Sequence, residues 1–216
     1  MEYMLFVLDM VGTAAFALSG AMTAIKKEMD LLGVLILGMV TAAGGGIVRD
    51  IILGNTPPQA FVQPVFALIA GGVSALVFVV IYFHVKGYQQ ISRSGFQYML
   101  MAADTLGLGV FTVAGVRAAF DSGMGVNYFL PVFLGTITGV GGGLLRDMMA
   151  GDRPYIFVKH VYASASILGA FVCVFLWRRF GGNVAMPVGA ASVILLRILA
   201  IRFRWNLPKV AYDEEA

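Results

Sequence analysis

Long apolar runs, separated by short polar or Pro/Gly stretches, make up most of the chain. Seven of them, at roughly 3–25, 31–53, 63–83, 97–116, 128–149, 161–177 and 183–201, are each close to the length of a membrane span, which needs about 20 apolar residues. The longest polar connection, 84–96, looks like a linker between two halves. The pattern predicts an all-α integral membrane protein with seven transmembrane helices in a single membrane domain, residues 1–216. The first run does not read as a signal peptide, because Glu2 precedes it and Lys26 and Lys27 follow it, the reverse of the usual charge order. The acidic tail, Asp213 to Glu215, is expected to be solvated.

Composition sharpens the class. Hydrophobic residues make up 59% of the chain and charged residues 12%, against about 25% charged in soluble domains. A water-soluble globule and a disordered chain are excluded. The one cysteine, Cys173, rules out a disulfide scaffold and reads as an inert buried thiol. His84 and His160 lack metal-ligand spacing, so neither a metal nor a cofactor is expected. The net charge of +3 arises from residues dispersed at the ends of apolar runs, which signals topology and not a nucleic-acid face. Lys26, Lys27, Lys86, Arg93, Arg153, Lys159, Arg202, Arg204 and Lys209 gather on one side of the membrane, and Arg117, Arg178 and Arg179 on the other. That excess places the N-terminus outside and the C-terminus in the cytoplasm.

The chain also repeats itself. Leu37-Gly38-Met39-Val40-Thr41-Ala42-Ala43-Gly44-Gly45-Gly46-Ile47-Val48-Arg49-Asp50 recurs as Leu134-Gly135-Thr136-Ile137-Thr138-Gly139-Val140-Gly141-Gly142-Gly143-Leu144-Leu145-Arg146-Asp147. Gly54 and Pro57 continue the match to Gly151 and Pro154, while Asp9, Gly12, Phe16 and Gly20 match Asp104, Gly107, Phe111 and Gly115. The reading is a duplication: 3–83 forms repeat one, 84–96 the linker, 97–180 repeat two, and 183–204 a seventh helix outside it. Each repeat holds three spans, an odd number, so the second copy must be inverted. Inverted repeats place a shared site near the bilayer midplane, often on interrupted helices.

Three consecutive glycines weaken a helix, each by about 1 kcal/mol relative to alanine. Gly44–Gly46 and Gly141–Gly143 are therefore expected to break the second and fifth spans, freeing carbonyls that could face a cation. Close helix packing is the competing reading, since Gly38, Ala42 and Gly46, like Gly135, Gly139 and Gly143, form small-residue ridges. By depth, Asp9 should lie near Arg49 and Asp104 near Arg146, each pair lining a vestibule. Asp50 and Asp147 point about 100° away and should hold loops or neighbouring helices. Ser19, Thr41 and Thr138 are mid-span hydroxyls that either line a pore or bond back onto their own helix. Arg197 is isolated in the last span and expected to snorkel toward the membrane surface.

The doubled Gly-Gly-Gly-x-x-Arg-Asp motif, the Asp-x-x-Gly-x-x-x-Phe-Ala-Leu-Ser-Gly opening and the seven spans resemble prokaryotic members of the trimeric intracellular cation (TRIC) channel family, whose domain has also carried a glycine-transporter label. The resemblance covers residues 3–204. It implies a homotrimer in the prokaryotic inner membrane, in contact with membrane lipids, with one hourglass pore per protomer. The pore would pass monovalent cations, chiefly potassium, with sodium a second candidate. It further implies that the glycine triplets form the constriction and gate, with Arg49, Asp50, Arg146 and Asp147 beside them. The lipid-recognition triplet Lys-Glu-Val of animal members has no counterpart here. A secondary transporter for a small zwitterion such as glycine is the alternative, followed by a scaffolding membrane protein. An enzyme is the least expected, because no nucleophile–base pair or metal cluster is visible.

Overall fold

A computed structural model describes residues 2–86, 93–123, 125, 127–158 and 161–205. Among these residues the chain is all-helical: α1 (Glu2–Lys26), α2 (Leu31–Ile52), α3 (Gln59–Val62), α4 (Pro64–Lys86), α5 (Arg93–Asp121), α6 (Phe129–Met149), α7 (Tyr155–Val158), α8 (Ala163–Phe180) and α9 (Gly182–Arg202). All but α3 and α7 are long and apolar enough to cross a membrane. The seven correspond to the seven expected spans, with α5 longer at both ends. The short helices α3 and α7 occupy connections that hydropathy alone leaves featureless. The centre of the expected linker, His160 and the acidic tail lie outside the described residues.

Local chemistry sets the helix ends. The Asp30 carboxylate accepts the Gly33 N–H (2.8 Å) and starts α2, while Asn127 does the same for Leu130 (3.0 Å) at the start of α6. Both helices stop at a left-handed glycine, Gly54 (φ 75°) and Gly151 (φ 69°). There the Asn55 and Asp152 N–H groups return to the Asp50 and Asp147 carbonyls, a closure that favours glycine because it has no Cβ. The duplication has thus copied its stop signals with its spans.

At the centre, α1, α2, α5 and α6 pack on one another; α4 lies against α1 and α2, α8 against α5 and α6, and α9 against α5 and α8. Phe16, Ala17, Ala42 and Ala70 join α1, α2 and α4. On the other side, Val113, Val116, Cys173, Val174 and Met186 join α5, α8 and α9. Of the long helices, α5 is the most enclosed and α4 the least. Leu68, Leu76, Phe129 and Phe171 stand on the outer surface, where they would be a liability in water and are ordinary in lipid.

Candidate functional site

The centre of the molecule is the crossing of α2 and α6. Gly45 lies against the Thr138 carbonyl oxygen and Gly142 against the Thr41 carbonyl oxygen, so a methyl group at either would collide with backbone. Gly20 packs on Thr41 and the Leu37 carbonyl; Gly115 packs on Thr138 and the Leu134 carbonyl. Each contact thus occurs twice with the halves exchanged, the signature of a two-fold relation. Phe16 and Phe111, equivalent residues of the two copies, meet each other with ring centroids 5.2 Å apart.

The glycine triplets do not break their helices. Both α2 and α6 remain helical through Gly44–Gly46 and Gly141–Gly143, which corrects the expectation of interrupted spans. The energetic reason is an asymmetry of costs. A glycine costs a helix about 1 kcal/mol, whereas each backbone group released in an apolar medium costs several. The triplets serve close approach instead, with Gly45 and Gly142 removing side chains where two backbones touch. Thr41 and Thr138 are consumed within their own helices, donating to the Leu37 and Leu134 carbonyls (both 2.6 Å).

Arg and Asp side chains flank the crossing at both ends, in different states. At the first end, Arg49 pairs with the adjacent Asp50 (2.7 Å). The other Asp50 oxygen accepts the Gln59 N–H at 2.9 Å and secures α3. Asp9 is half-buried and faces the charges of Arg117 and Arg49, but no ion pair joins Asp9 to Arg49 among the described residues. That expected pairing is corrected because a neighbouring carboxylate is within reach of Arg49 through rotation of its flexible side chain alone. Gly46 opens onto free space, its missing Cβ meeting nothing closer than the Arg49 guanidinium at 3.9 Å.

At the second end the expected pair is present: Arg146 Nη1 lies 2.6 Å from Asp104 Oδ1. Arg146 also donates to the Ser19 hydroxyl of α1 and pairs with Asp147 at 2.8 Å. Asp147 in turn accepts the Tyr155 N–H at 2.8 Å, securing α7 as Asp50 secures α3. Tyr162 donates to Asp104 at 3.2 Å, and burial pushes its phenol up from the usual range, keeping it protonated. Arg197 of α9 reaches within 3.8 Å of Asp104 and lies over the Tyr162 ring at 4.7 Å. It is buried in this cluster and does not snorkel, because Asp104 and the tyrosine face lie beside it. Two arginines and two aspartates balance, as charges withdrawn from water must. Arg146 and Asp104 are 1% and 0% exposed, so they seal this end and do not line an open vestibule.

The Glycine transporter family model matches the chain twice, over residues 6–82 and 101–178, one match per half. The UPF0126 inner membrane protein YadS of Escherichia coli K12 is 38% identical over 209 residues, covering 96% of each chain. A structure described in work on conductance through TRIC cation channels superposes with a TM-score of 0.82 at 35% identity, covering 96% of this chain and 97% of its own. The chain belongs to the TRIC family. The Rhodobacter sphaeroides TRIC orthologue gives a TM-score of 0.83 at 31% identity, covering 94% of this chain and 99% of its own. Like these relatives, the TRIC-family chain described here is an integral membrane protein, and its seven helices comprise two inverted three-helix repeats and one addition.

Within this TRIC-family fold, the structure gathers Ser19, Asp104, Arg146 and Asp147 into one cluster and sets Asp9 facing the charge of Arg49 with no ion pair between them among the described residues. Tyr162 and Arg197 belong to the same cluster, yet sequence reasoning did not select them. Arg197 carried a usable signal, being a charge far from both ends of its span. Tyr162 sits beside its span as aromatic residues commonly do, and nothing in its context singles it out. No group of three metal-ligating side chains occurs among the described residues.

Proposed function

We propose that the chain is a monovalent-cation channel, chiefly for potassium, seated in the prokaryotic inner membrane with its N-terminus outside and C-terminus in the cytoplasm. It assembles as a homotrimer with one pore per protomer, following its similarity to solved TRIC cation channels and to the trimeric orthologue. The observation that carries the reading is the two-fold crossing of α2 and α6 with a polar cluster at each end. Each repeat contributes one wall of a path whose narrowest point is that crossing.

The sealed Arg146 cluster is then the closed gate. Opening requires Arg146 to leave Ser19 and Asp104, and this latch is only partly satisfied, since Asp104 Oδ2 accepts no hydrogen bond among the described residues. An underpaired buried carboxylate weakens such a network, which suits a contact that must release. At the other end, Gly46 and the partly accessible Arg49 side chain, 16% exposed over a buried Asp50, form the opposite mouth. With Arg49 neutralised by Asp50, that mouth does not repel a cation by net charge.

The test is current from purified protein in a planar bilayer under a KCl gradient. Discrete steps reversing near the potassium potential support the channel. Saturable uptake of labelled glycine by the same preparation, without such steps, would establish the transporter in its place.

A further inference from the structure

Outside the central crossing, a groove of about 490 Å³ runs along the outer surface between α6 and α8, within the range of small-ligand sites. Its walls are Phe129, Val132, Phe133, Thr136, Ile167 and Phe171, with Tyr128 at one end. The Thr136 hydroxyl donates to the Val132 carbonyl (2.8 Å), so the walls present no free donor. At the Tyr128 end stand two exposed arginines. The Arg178 guanidinium lies over the Tyr128 ring at 4.4 Å and donates to the Gly125 carbonyl at 3.0 Å. The Arg179 guanidinium lies over Phe175 at 5.1 Å. Aromatic stacking therefore holds two positive charges at the mouth of an apolar channel.

The first repeat lacks this combination. The positions equivalent to Arg178 and Arg179 are Ile81 and Tyr82, and Phe171 is replaced by Ser74, which is buried against Gly38. Charge pair and aromatic groove thus occur together or not at all.

We propose that the groove holds an acyl chain of an anionic phospholipid whose phosphate sits against Arg178 and Arg179. Guanidinium groups match phosphate oxygens in geometry as well as charge, and basic pockets between membrane helices take anionic headgroups.

Native mass spectrometry of the purified full-length assembly in detergent, titrated with dioleoylphosphatidylglycerol or dioleoylphosphatidylcholine, tests this. The expected result is several-fold greater retention of phosphatidylglycerol, abolished by the double substitution Arg178→Gln/Arg179→Gln with oligomeric mass unchanged. Val132→Trp, which fills the groove, should lower phosphatidylglycerol retention in an intact assembly. Equal retention of the two lipids, or a preference that survives the double substitution, overturns the proposal. So does a Val132→Trp protein that falls into single chains with retention intact, since the groove would then be a seam between copies.

Discussion

Arg49 and Arg146 hold equivalent places in α2 and α6, and each is followed by an aspartate that ties down a short helix. The Arg146 side chain is 1% exposed and the Arg49 side chain 16%. The motif itself cannot cause that difference, because it is the same motif. Its partners do. Ser19, which accepts from Arg146, is replaced at the other end by Ala114, and Tyr162 by Val65. Arg197 belongs to α9, which has no counterpart in the first repeat. Three side chains from outside α6 turn one copy into a closed cluster, and their absence leaves the other less enclosed. A repeated motif therefore sets where charge is placed, while the unrepeated surroundings set what that charge does.

The largest expected effect comes from removing each arginine in turn. Arg146→Gln leaves Asp104 and Asp147 without their principal partner in a sealed site, and should cost about 3–5 kcal/mol in detergent unfolding. Arg49→Gln, at the less enclosed end, leaves Asp50 still holding the Gln59 N–H and should cost less, about 1–3 kcal/mol. Equal losses would erase the contrast between the two ends.

The glycines make the opposite forecast, that the halves behave alike. Gly45→Ala and Gly142→Ala both push a methyl group into the partner backbone and should each lower stability by about 1–3 kcal/mol. Gly46→Ala, facing open space, should be close to neutral. A large gap between Gly45→Ala and Gly142→Ala would mean that the crossing is not two-fold.

Double-mutant cycles sharpen the comparison. Asp104→Asn with Arg146→Gln should show coupling of about 0.5–3 kcal/mol, whereas Asp9→Asn with Arg49→Gln should add to within about 0.5 kcal/mol. Strong coupling at the Asp9 end would restore the pairing expected from depth. Tyr162→Phe deletes one hydrogen bond to Asp104, worth about 1 kcal/mol. If the cluster is the gate, the same substitution raises open probability in bilayer recordings, and an unchanged value would separate the cluster from gating.

Seven spans and a duplication were legible because hydropathy and spacing survive in one dimension. Asp104–Arg146 was legible too, since depth alone brings them level. The glycine triplets were misread for a physical reason. Weak helix propensity and close backbone approach call for the same residue, and only the neighbouring helix shows which one applies. Arg49 was misassigned because a long side chain can fold back on the next residue, whatever depth suggests. Arg197 and Tyr162 needed the third dimension, as each meets Asp104 only after distant segments pack. The expected placement of Ser19 beside the pore stays a proposal, though its contact with Arg146 gives it a definite task.

A chain built by copying and inverting one unit begins with two interchangeable mouths, and a passage of that kind looks the same from either side of the membrane. The helix that was never copied removes the ambiguity. By lending Arg197 to the Asp104 cluster alone, α9 makes the two ends of the crossing different, and it gives the molecule a front and a back.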